Sequence, residues 1–371
     1  MDILANSTLL EISIAAVMSP NSANAHSGPL VQSLLSVNAS NTLLLTAHVM
    51  VERRKPDSFF KEYLATLPEK FDLPFLWSPE ELEELRGTKL MQSVLVQKQA
   101  AEEEFKMLSP VLEQHAAELP EGVNSNELYL WALGAVLSRS FMVAVGETPV
   151  PILIPGADIF NVDVEGAALD LEAEDSVVRV QSQQGYKAGD QIFLGAGKQG
   201  NVNLMAMQGF ALPYNPNDSV NLYVSLPKND PFTEMRRSIM SYAGINPEMG
   251  YPIGRGGKLD QSLLQALRIS TLQPSEFDKY KMVTAEDTYV NLENEMAAFR
   301  QVINACQQFL ASFATTGEED DKLLMDPEGV QRRKAWALVY RRGEKAIYSE
   351  VLQTISNRLG LYLFDGLAMG K

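Results

Sequence analysis

The chain has 371 residues, 46% hydrophobic and 21% charged, the balance of a folded protein with one large core or two to three smaller ones. Its 31 basic and 47 acidic residues give a net charge of −16, which argues against a nucleic-acid binder, since such a protein needs a basic face to displace phosphate counterions. A single cysteine, Cys306, excludes an internal disulfide and any cysteine-cluster metal site.

His26, His48 and His115 are widely spaced and lack neighbouring carboxylate patterns, so they read as surface or packing residues rather than metal ligands or a Ser-His-Asp arrangement. No window of about 18 uninterrupted apolar residues marks a membrane span. Met1–Met18 carries Asp2 and Glu11 and has no basic start, which argues against a secretory signal.

In chain order, Leu9–Val17 reads as a strand, and 21–40, rich in Asn, Ser, Ala and Gly, as a mobile loop followed by a short helix. Thr42–Glu52 has helical spacing and stops before Pro56. Ser58 reads as the cap of a helix over Phe59–Thr66. Ser78-Pro79-Glu80-Glu81 is a helix start, with cap, proline and acidic first turn together. Leu90–Ala117 and Asn124–Met142 follow as amphipathic helices. Between Thr148 and Phe210 the character changes to short apolar runs, Pro151–Pro155, Ala167–Leu171, Val177–Gln181 and Gln191–Leu194, broken by Gly, Pro and Asp. One more strand, Val220–Leu226, precedes helices over Ser262–Ile269, Asp287–Ala314 and Pro327–Leu359. The Gly254-Arg-Gly-Gly-Lys258 stretch reads as a turn. The charges of Arg332–Lys334 and Arg341–Lys345 read as a solvated, partly paired helix face.

Gly195-Ala196-Gly197-Lys198-Gln199-Gly200 matches the G-x-G-x-x-G pattern of a dinucleotide-binding turn. Such a turn should open a helix that crosses back to a parallel strand. Here Asn201–Gln208 meets Gly209 within about two helical turns, and Pro213, Asn215, Pro216 and Asn217 form a turn cluster instead of a strand.

A different pattern spans nearly the whole chain. Phe59-Phe-Lys-Glu-Tyr63 with Leu67-Pro68 comes first, then Leu76-Trp77-Ser78-Pro-Glu-Glu-Leu82 with Leu85 and Gly87-Thr88. Trp131-Ala132 leads into Ser138-Arg139-Ser140-Phe141, and Ile154-Pro155-Gly156-Ala157-Asp158-Ile159-Phe160-Asn161 follows. Ala188-Gly-Asp-Gln-Ile-Phe-Leu-Gly195 precedes Asn201 and Gly209-Phe210, and the tail carries Thr315-Thr316-x-Glu318-x-Asp320 and Arg342-Gly343-Glu344-Lys345. In this order the landmarks resemble SET-domain proteins of the Rubisco large-subunit lysine methyltransferase (LSMT-like) family.

The resemblance implies an α+β fold: a SET-type irregular β core with an inserted helical region and a C-terminal helical substrate-binding domain. Partial N-terminal SET strands fall on 1–40, the inserted helices on 41–130, the SET core on 131–213 and the helical domain on 214–371. It also implies S-adenosylmethionine as cofactor, a protein partner or substrate held by the C-terminal domain, no direct nucleic-acid or membrane partner, and a plastid compartment. In the family a lysine amine attacks the cofactor's methyl group in line, so the site must align the pair, strip water and keep the amine unprotonated.

Ser138, Arg139, Asp158 and Asn161 fall on cofactor-side positions of the resemblance. Three departures accompany them. The histidine that follows the asparagine is Val162, the tyrosine beside the methyl channel is Ala196, and the second tyrosine, ahead of Gly-Phe, is Gln208. The segment Asn6–Pro20 resembles the strand after the family's cofactor-wrapping glycine turn, so the turn itself is expected to be missing. One lost transition-state donor costs roughly 10²–10³ in rate, about 3–4 kcal/mol. The expectation is therefore a catalytically impaired methyltransferase homologue that serves as a protein-binding or assembly subunit. The alternative is an active protein-lysine or protein-histidine methyltransferase in which Tyr186 or Tyr214 supplies the hydroxyl.

Overall fold

The computed structural model describes residues 2–145, 148–172, 176–195, 197–226, 229–246, 248–279, 290–325 and 330–369. It divides into two units, Met1–Leu82 with Leu90–Leu212, and Glu83–Lys89 with Pro213–Lys371. The fold is the mixed helix and small-sheet architecture of a SET core with a C-terminal helical region.

In the first unit, β1 (Thr8–Ser13) ends in a 3₁₀ turn over Ile14–Ala16, so the strand is shorter than the apolar run that announced it. Then comes α1 (Pro20–Ser36), which takes in the stretch where the sequence pattern suggested a mobile loop before a short helix. Ser19 and Ser22 cap each other's backbone N–H groups at 3.1 and 2.8 Å, Pro20 opens the helix, and Leu30, Val31 and Leu34 are buried. Burial and a capping box override the weak helix propensity of Asn, Ser and Gly, and the non-helical Ser27 bends the helix before Pro29.

After α2 (Asn41–Arg54), α3 spans only Lys61–Thr66. Ser58 does not cap it; its hydroxyl donates to buried Glu52 at 2.5 Å and accepts from Phe60 N. The capping box at Ser78 is present, with Ser78 N on Glu81 Oε2 at 2.8 Å, and opens the single turn α4 (Pro79–Leu82). The 26-residue α5 (Lys89–Gln114) and α6 (Asn126–Arg139) follow. The stretch expected to stay helical to Met142 turns extended at Ser140, where Phe141 and Val143 enter β2 (Ser140–Val145).

β2 pairs antiparallel with β3 (Thr148–Leu153). Beyond lie β4 (Asn161–Asp163), β5 (Ala168–Glu172), β6 (Val177–Gln181), β7 (Phe193–Gly195) and α7 (Asn201–Gln208). β1, β6 and β5 form one antiparallel sheet in that order. β7 pairs parallel with β4, Asn161 opposite Phe193 and Asp163 opposite Gly195. Ile12, Ile154, Val178, Val180 and Leu194 fill the core of this β region.

The second unit holds β8 (Ser219–Tyr223), α8 (Thr233–Tyr242), β9 (Gly250–Gly254), α9 (Gln261–Ser270), α10 (Leu292–Ser312), α11 (Gly317–Leu324) and α12 (Arg332–Met369). α8 and β9 carried no signal in the sequence reading. Asp287 and Pro327, the expected starts of two helices, lie outside the described residues. β8 and β9 form an antiparallel pair, and Val220, Leu222, Ile253, Leu267, Phe299 and Val351 pack in one core. Cys306 belongs to that core, its thiol pushed up to about 12 by burial, and acts as an inert packing group.

The expected solvated charge face of α12 is instead buried at Arg341, Glu344 and Lys345. Asp320 accepts from Arg341 Nη2 at 2.8 Å, from Lys345 Nζ and from the Thr315 hydroxyl at 2.7 Å. Arg341 also reaches Glu84 Oε2 at 2.8 Å, and Glu344 accepts from the Tyr340 hydroxyl and from Lys89 N. These bonds attach residues 83–89 to α12, and a buried charge demands such complete pairing. Among the described residues no helix is long and apolar enough to cross a membrane.

Candidate cofactor site

α6 delivers Arg139 at the joint where helix becomes strand, and the β2–β3 pairing sets Ser140 opposite Leu153. Past Leu153 the chain turns through Gly156, in the left-handed region at φ 88°, and a 3₁₀ turn carries Asp158 inward before β4 begins at Asn161. Arg139 Nη1 donates to the Asp158 carbonyl at 2.6 Å, tying the end of α6 to this turn.

The Asp158 carboxylate is 6% exposed. Its Oδ2 accepts from the Tyr63 hydroxyl at 3.0 Å, and its Oδ1 is buried without a partner among the described atoms. Burial raises the Asp158 carboxyl above its ordinary value against the opposing pull of Tyr63 and Arg139. Burial first, and then the neighbouring carboxylate, raise the Tyr63 phenol, which therefore stays protonated as a donor.

Tyr63 is held from behind. Arg53 Nη1 donates to Leu64 O at 2.7 Å and lies 4.8 Å over the Trp131 ring, and Trp131 Nε1 donates to Pro68 O at 2.9 Å. Tyr63 was not singled out as a site residue in the sequence. Its only signal was its place in Phe59-Phe-Lys-Glu-Tyr63.

The other sequence candidates divide. The Ser138 hydroxyl donates to Gly134 O at 2.7 Å, a bond within its own helix. Asn161 is exposed at the start of β4, and among the described bonds its side chain has none to Asp158, Arg139 or Tyr63. Val162 is half-buried and in register with Leu194. β7 is paired on its other side by Ala167, whose N donates to Phe193 O at 2.7 Å. Gly166 approaches so closely that a Cβ there would sit 2.4 Å from Phe193 O.

Ala196, the position matched to the channel tyrosine, lies outside the described residues. Gln208 is half-buried at the end of α7, which Gly209 closes at φ 78°. Asn201 is buried and fixes the chain beyond, its carboxamide bonding Leu212 O and N at 2.9 and 2.8 Å. Tyr186 is buried, its backbone bridged to Ile3, and Tyr214, 69% exposed in the second unit, lies beneath Arg255 at 5.3 Å.

The dinucleotide alternative fails on topology. The eight-residue α7 returns to no parallel strand, and the next strand, β8, pairs antiparallel with β9. His26 and His48, far apart in sequence, come together with ring centroids 5.7 Å apart, packed on Phe60. Glu52 Oε1 lies 3.6 Å from His26 Nδ1, a carboxylate neighbour the sequence spacing did not announce. His48 is driven down to about 3, mainly by burial, and stays neutral. Among the described residues no His, Cys, Asp or Glu cluster could hold a metal ion.

The donor set suits a polar cofactor. Asp158 Oδ1 is a buried acceptor that a hydroxyl or ammonium donor would satisfy, and Asn161 offers a free carboxamide on the neighbouring strand.

A family model for the Rubisco LSMT substrate-binding domain matches residues 227–347. Over 376 aligned residues the chain is 28% identical to the chloroplastic [fructose-bisphosphate aldolase]-lysine N-methyltransferase of Arabidopsis thaliana, covering 96% of this chain and 76% of that protein. It is 25% identical to the actin-histidine N-methyltransferase of Rattus norvegicus, covering 95% of this chain and 62% of that one. The chain thus spans about three-fifths of the actin-histidine enzyme's length. Among solved structures, the SET domain of LSMT bound to lysine and AdoHcy superposes with a TM-score of 0.74 at 21% identity, covering 96% of this chain and 83% of that one. Rubisco LSMT bound to AdoMet gives 0.72 at 22%, with the same coverage.

Proposed function

The chain belongs to the Rubisco LSMT-like SET-domain family, and we propose that it is a family member whose methyl-transfer centre is impaired and which works by binding a protein partner. One observation carries the proposal. The parallel pairing of β4 and β7 sets Val162 beside Leu194, two residues before Ala196. The family resemblance puts a histidine and a phenol at 162 and 196, and this chain has two hydrocarbon side chains there. Neither can donate a hydrogen bond to a cofactor or orient an incoming amine.

The Asp158, Asn161 and Arg139 surroundings would still hold S-adenosylmethionine, Asp158 Oδ1 accepting from a ligand donor and Arg139 keeping the turn in place. When bound, the cofactor supplies an electrophilic methyl group. Binding without efficient transfer is the expected state. The protein partner is held by residues 227–347, and the aldolase and actin activities of the relatives support a folded protein as that partner. The chloroplast location of the Arabidopsis relative supports a plastid compartment, which a fluorescent fusion of the native gene product would test.

The deciding experiment pairs isothermal titration with S-adenosylmethionine and transfer of radiolabelled methyl groups to proteins of a cell extract. Binding with no labelled protein supports the proposal, and efficient labelling of any protein overturns it.

A second reading, an active lysine or histidine methyltransferase, has one observation in its favour. A protonated phenol, Tyr63, already sits in the Asp158 cluster. On that reading Tyr63→Phe abolishes labelling, whereas Tyr186→Phe and Tyr214→Phe do not.

A further inference from the structure

Residues Glu83–Lys89 form a strap. They belong to the second unit, while the chain on either side of them, up to Leu82 and from Leu90, belongs to the first. The strap lies on α12, and its two ends are held by different chemistry.

The near end is held by paired charge. Glu84 meets Lys334 at 2.7 Å and Arg341 at 2.8 Å, and Leu85 is fully buried. At the far end there is no ion pair among the described residues. Gly87, at φ 81°, lies so close to the end of α10 that a Cβ would sit 2.7 Å from Ser312 O, and Thr88 donates back to Leu85 O at 2.6 Å. Lys89 N, the first amide of α5, then donates to both carboxyl oxygens of Glu344, at 3.2 and 3.3 Å. An acceptor 255 residues away thereby serves the orphan N–H of a helix start.

Glu344 is 5% exposed, and its described partners are neutral donors, Lys89 N and the Tyr340 hydroxyl at 2.5 Å. A buried carboxyl held in this way is cheaper to keep protonated than charged. The groups around it do not reverse that. The Lys89 ammonium favours the charged form, and Asp218, just ahead of β8, opposes it and itself faces Arg255 at 3.6 Å. Asp320 of α11 is committed to Arg341 and Lys345. The Cys306 thiol of α10 and the Tyr348 phenol of α12 are both pushed up by burial and stay protonated. Burial outweighs the opposing pulls and holds the Glu344 carboxyl up at about 7.

Of the groups that cover this carboxyl, the far end of the strap is the least anchored. Ile347, Tyr348 and Val351 of α12 belong to the core of the second unit, whereas Arg86 and Lys89 of the strap are exposed. A short segment with few buried apolar side chains opens at lower free energy than a core helix.

We propose that the Gly87–Lys89 end of the strap is a proton-governed latch, which closes on α12 while Glu344 is protonated and is released when Glu344 ionises and water reaches the carboxylate. This device goes beyond the proposed function and does not depend on it. Its sign follows from linkage. Closed, the carboxyl keeps its proton up to about 7. Open and solvated, it takes the ordinary glutamate value of about 4.3. Opening therefore becomes easier as pH rises between those values and levels off above the higher one.

The test is amide hydrogen exchange of the full chain, corrected for the intrinsic effect of pH on exchange. It is read on peptides covering residues 83–92 and, as a reference, residues 298–306 of α10. Between about pH 5.5 and about pH 7.5, exchange in 83–92 is expected to speed up about twentyfold, with no matching change in 298–306. Glu344→Gln, whose carboxamide oxygen still accepts from Lys89 N but cannot ionise, should abolish the response. Tyr340→Phe removes a donor that favours the charged form, so its rise should continue to higher pH than the parent's, and it keeps the latch testable if Glu344→Gln does not fold. A flat parent profile in 83–92, an equal rise in 298–306, the parent's rise in folded Glu344→Gln, or an unshifted profile in Tyr340→Phe would overturn the latch.

Discussion

The Tyr63 hydroxyl donates to Asp158 Oδ2 at 3.0 Å while the carbonyl of the same aspartate accepts from Arg139 at 2.6 Å, so one residue joins α3 to the end of α6. Three segments distant in sequence meet at this aspartate, and its second carboxylate oxygen is buried without a hydrogen-bond partner among the described residues.

Tyr63→Phe removes the side-chain donor to that carboxylate in a buried setting. The expected loss is about 1–3 kcal/mol, read from the urea midpoint. Asp158→Asn should cost less, because it removes the buried charge whose desolvation raises the carboxyl in the first place. A Tyr63→Phe protein as stable as the parent would mean the bond is not made in solution.

Glu344 gives a pH dependence with a definite sign. Burial pushes its carboxyl up to about 7, against donors from Tyr340 and Lys89. The folded chain therefore holds a proton that the unfolded chain, near the ordinary glutamate value of about 4.3, has already released. The stabilisation is complete below that value and is lost as pH rises to about 7, a span of at most roughly 4 kcal/mol. Glu344→Gln should flatten the stability profile between those limits. An unchanged slope in chemical denaturation at several pH values would show that the group titrates normally.

Much of this arrangement was legible in the residues, and the failures have physical causes. The helix start at Ser78 was readable because a side-chain oxygen at a fixed offset satisfies a helix N-terminus locally. α1 was read only in its last part, as a short helix after a loop, because its first half is Asn- and Ser-rich and the helix rests on the burial of Leu30, Val31 and Leu34. Arg341, Glu344 and Lys345 look like a solvated face because a charge run shows nothing of the partners at Asp320 and Glu84. Of the proposed cofactor-side residues, Arg139 and Asp158, which the structure brings together, were picked out from the family pattern. Tyr63 was missed because a phenol's role depends on the carboxylate it meets 95 residues away.

Asp320→Asn tests the network on α12. Asp320 is the carboxylate shared by Arg341 and Lys345, so its loss leaves two buried cations with only Glu84 for company at Arg341. The expected cost is about 3–5 kcal/mol, the scale of breaking a buried pair from one side. Replacing Asp320, Arg341 and Lys345 together with Leu, Met and Met should cost less than the single change, because no unpaired charge remains. Thermal unfolding of the two variants decides it, and a single variant within about 1 kcal/mol of the parent would show that water already reaches the cluster.

Val162→His and Ala196→Tyr test the proposed impairment of the methyl-transfer centre directly. If the two hydrocarbon side chains are what limits the chemistry, Val162→His should tighten S-adenosylmethionine binding, because a ring N–H or nitrogen then becomes available beside Asn161. Ala196→Tyr should act on turnover instead, since a phenol steers the nucleophile and contributes little to holding the cofactor. A restored transition-state donor is worth roughly 10²–10³ in rate, so the double variant should label protein at least about a hundredfold faster than the parent. Calorimetry separates the first effect from the second, and Gln208→Tyr on the same background measures what the second missing phenol adds. A double variant that binds the cofactor well but labels no protein would place the defect elsewhere and remove the argument built on positions 162 and 196.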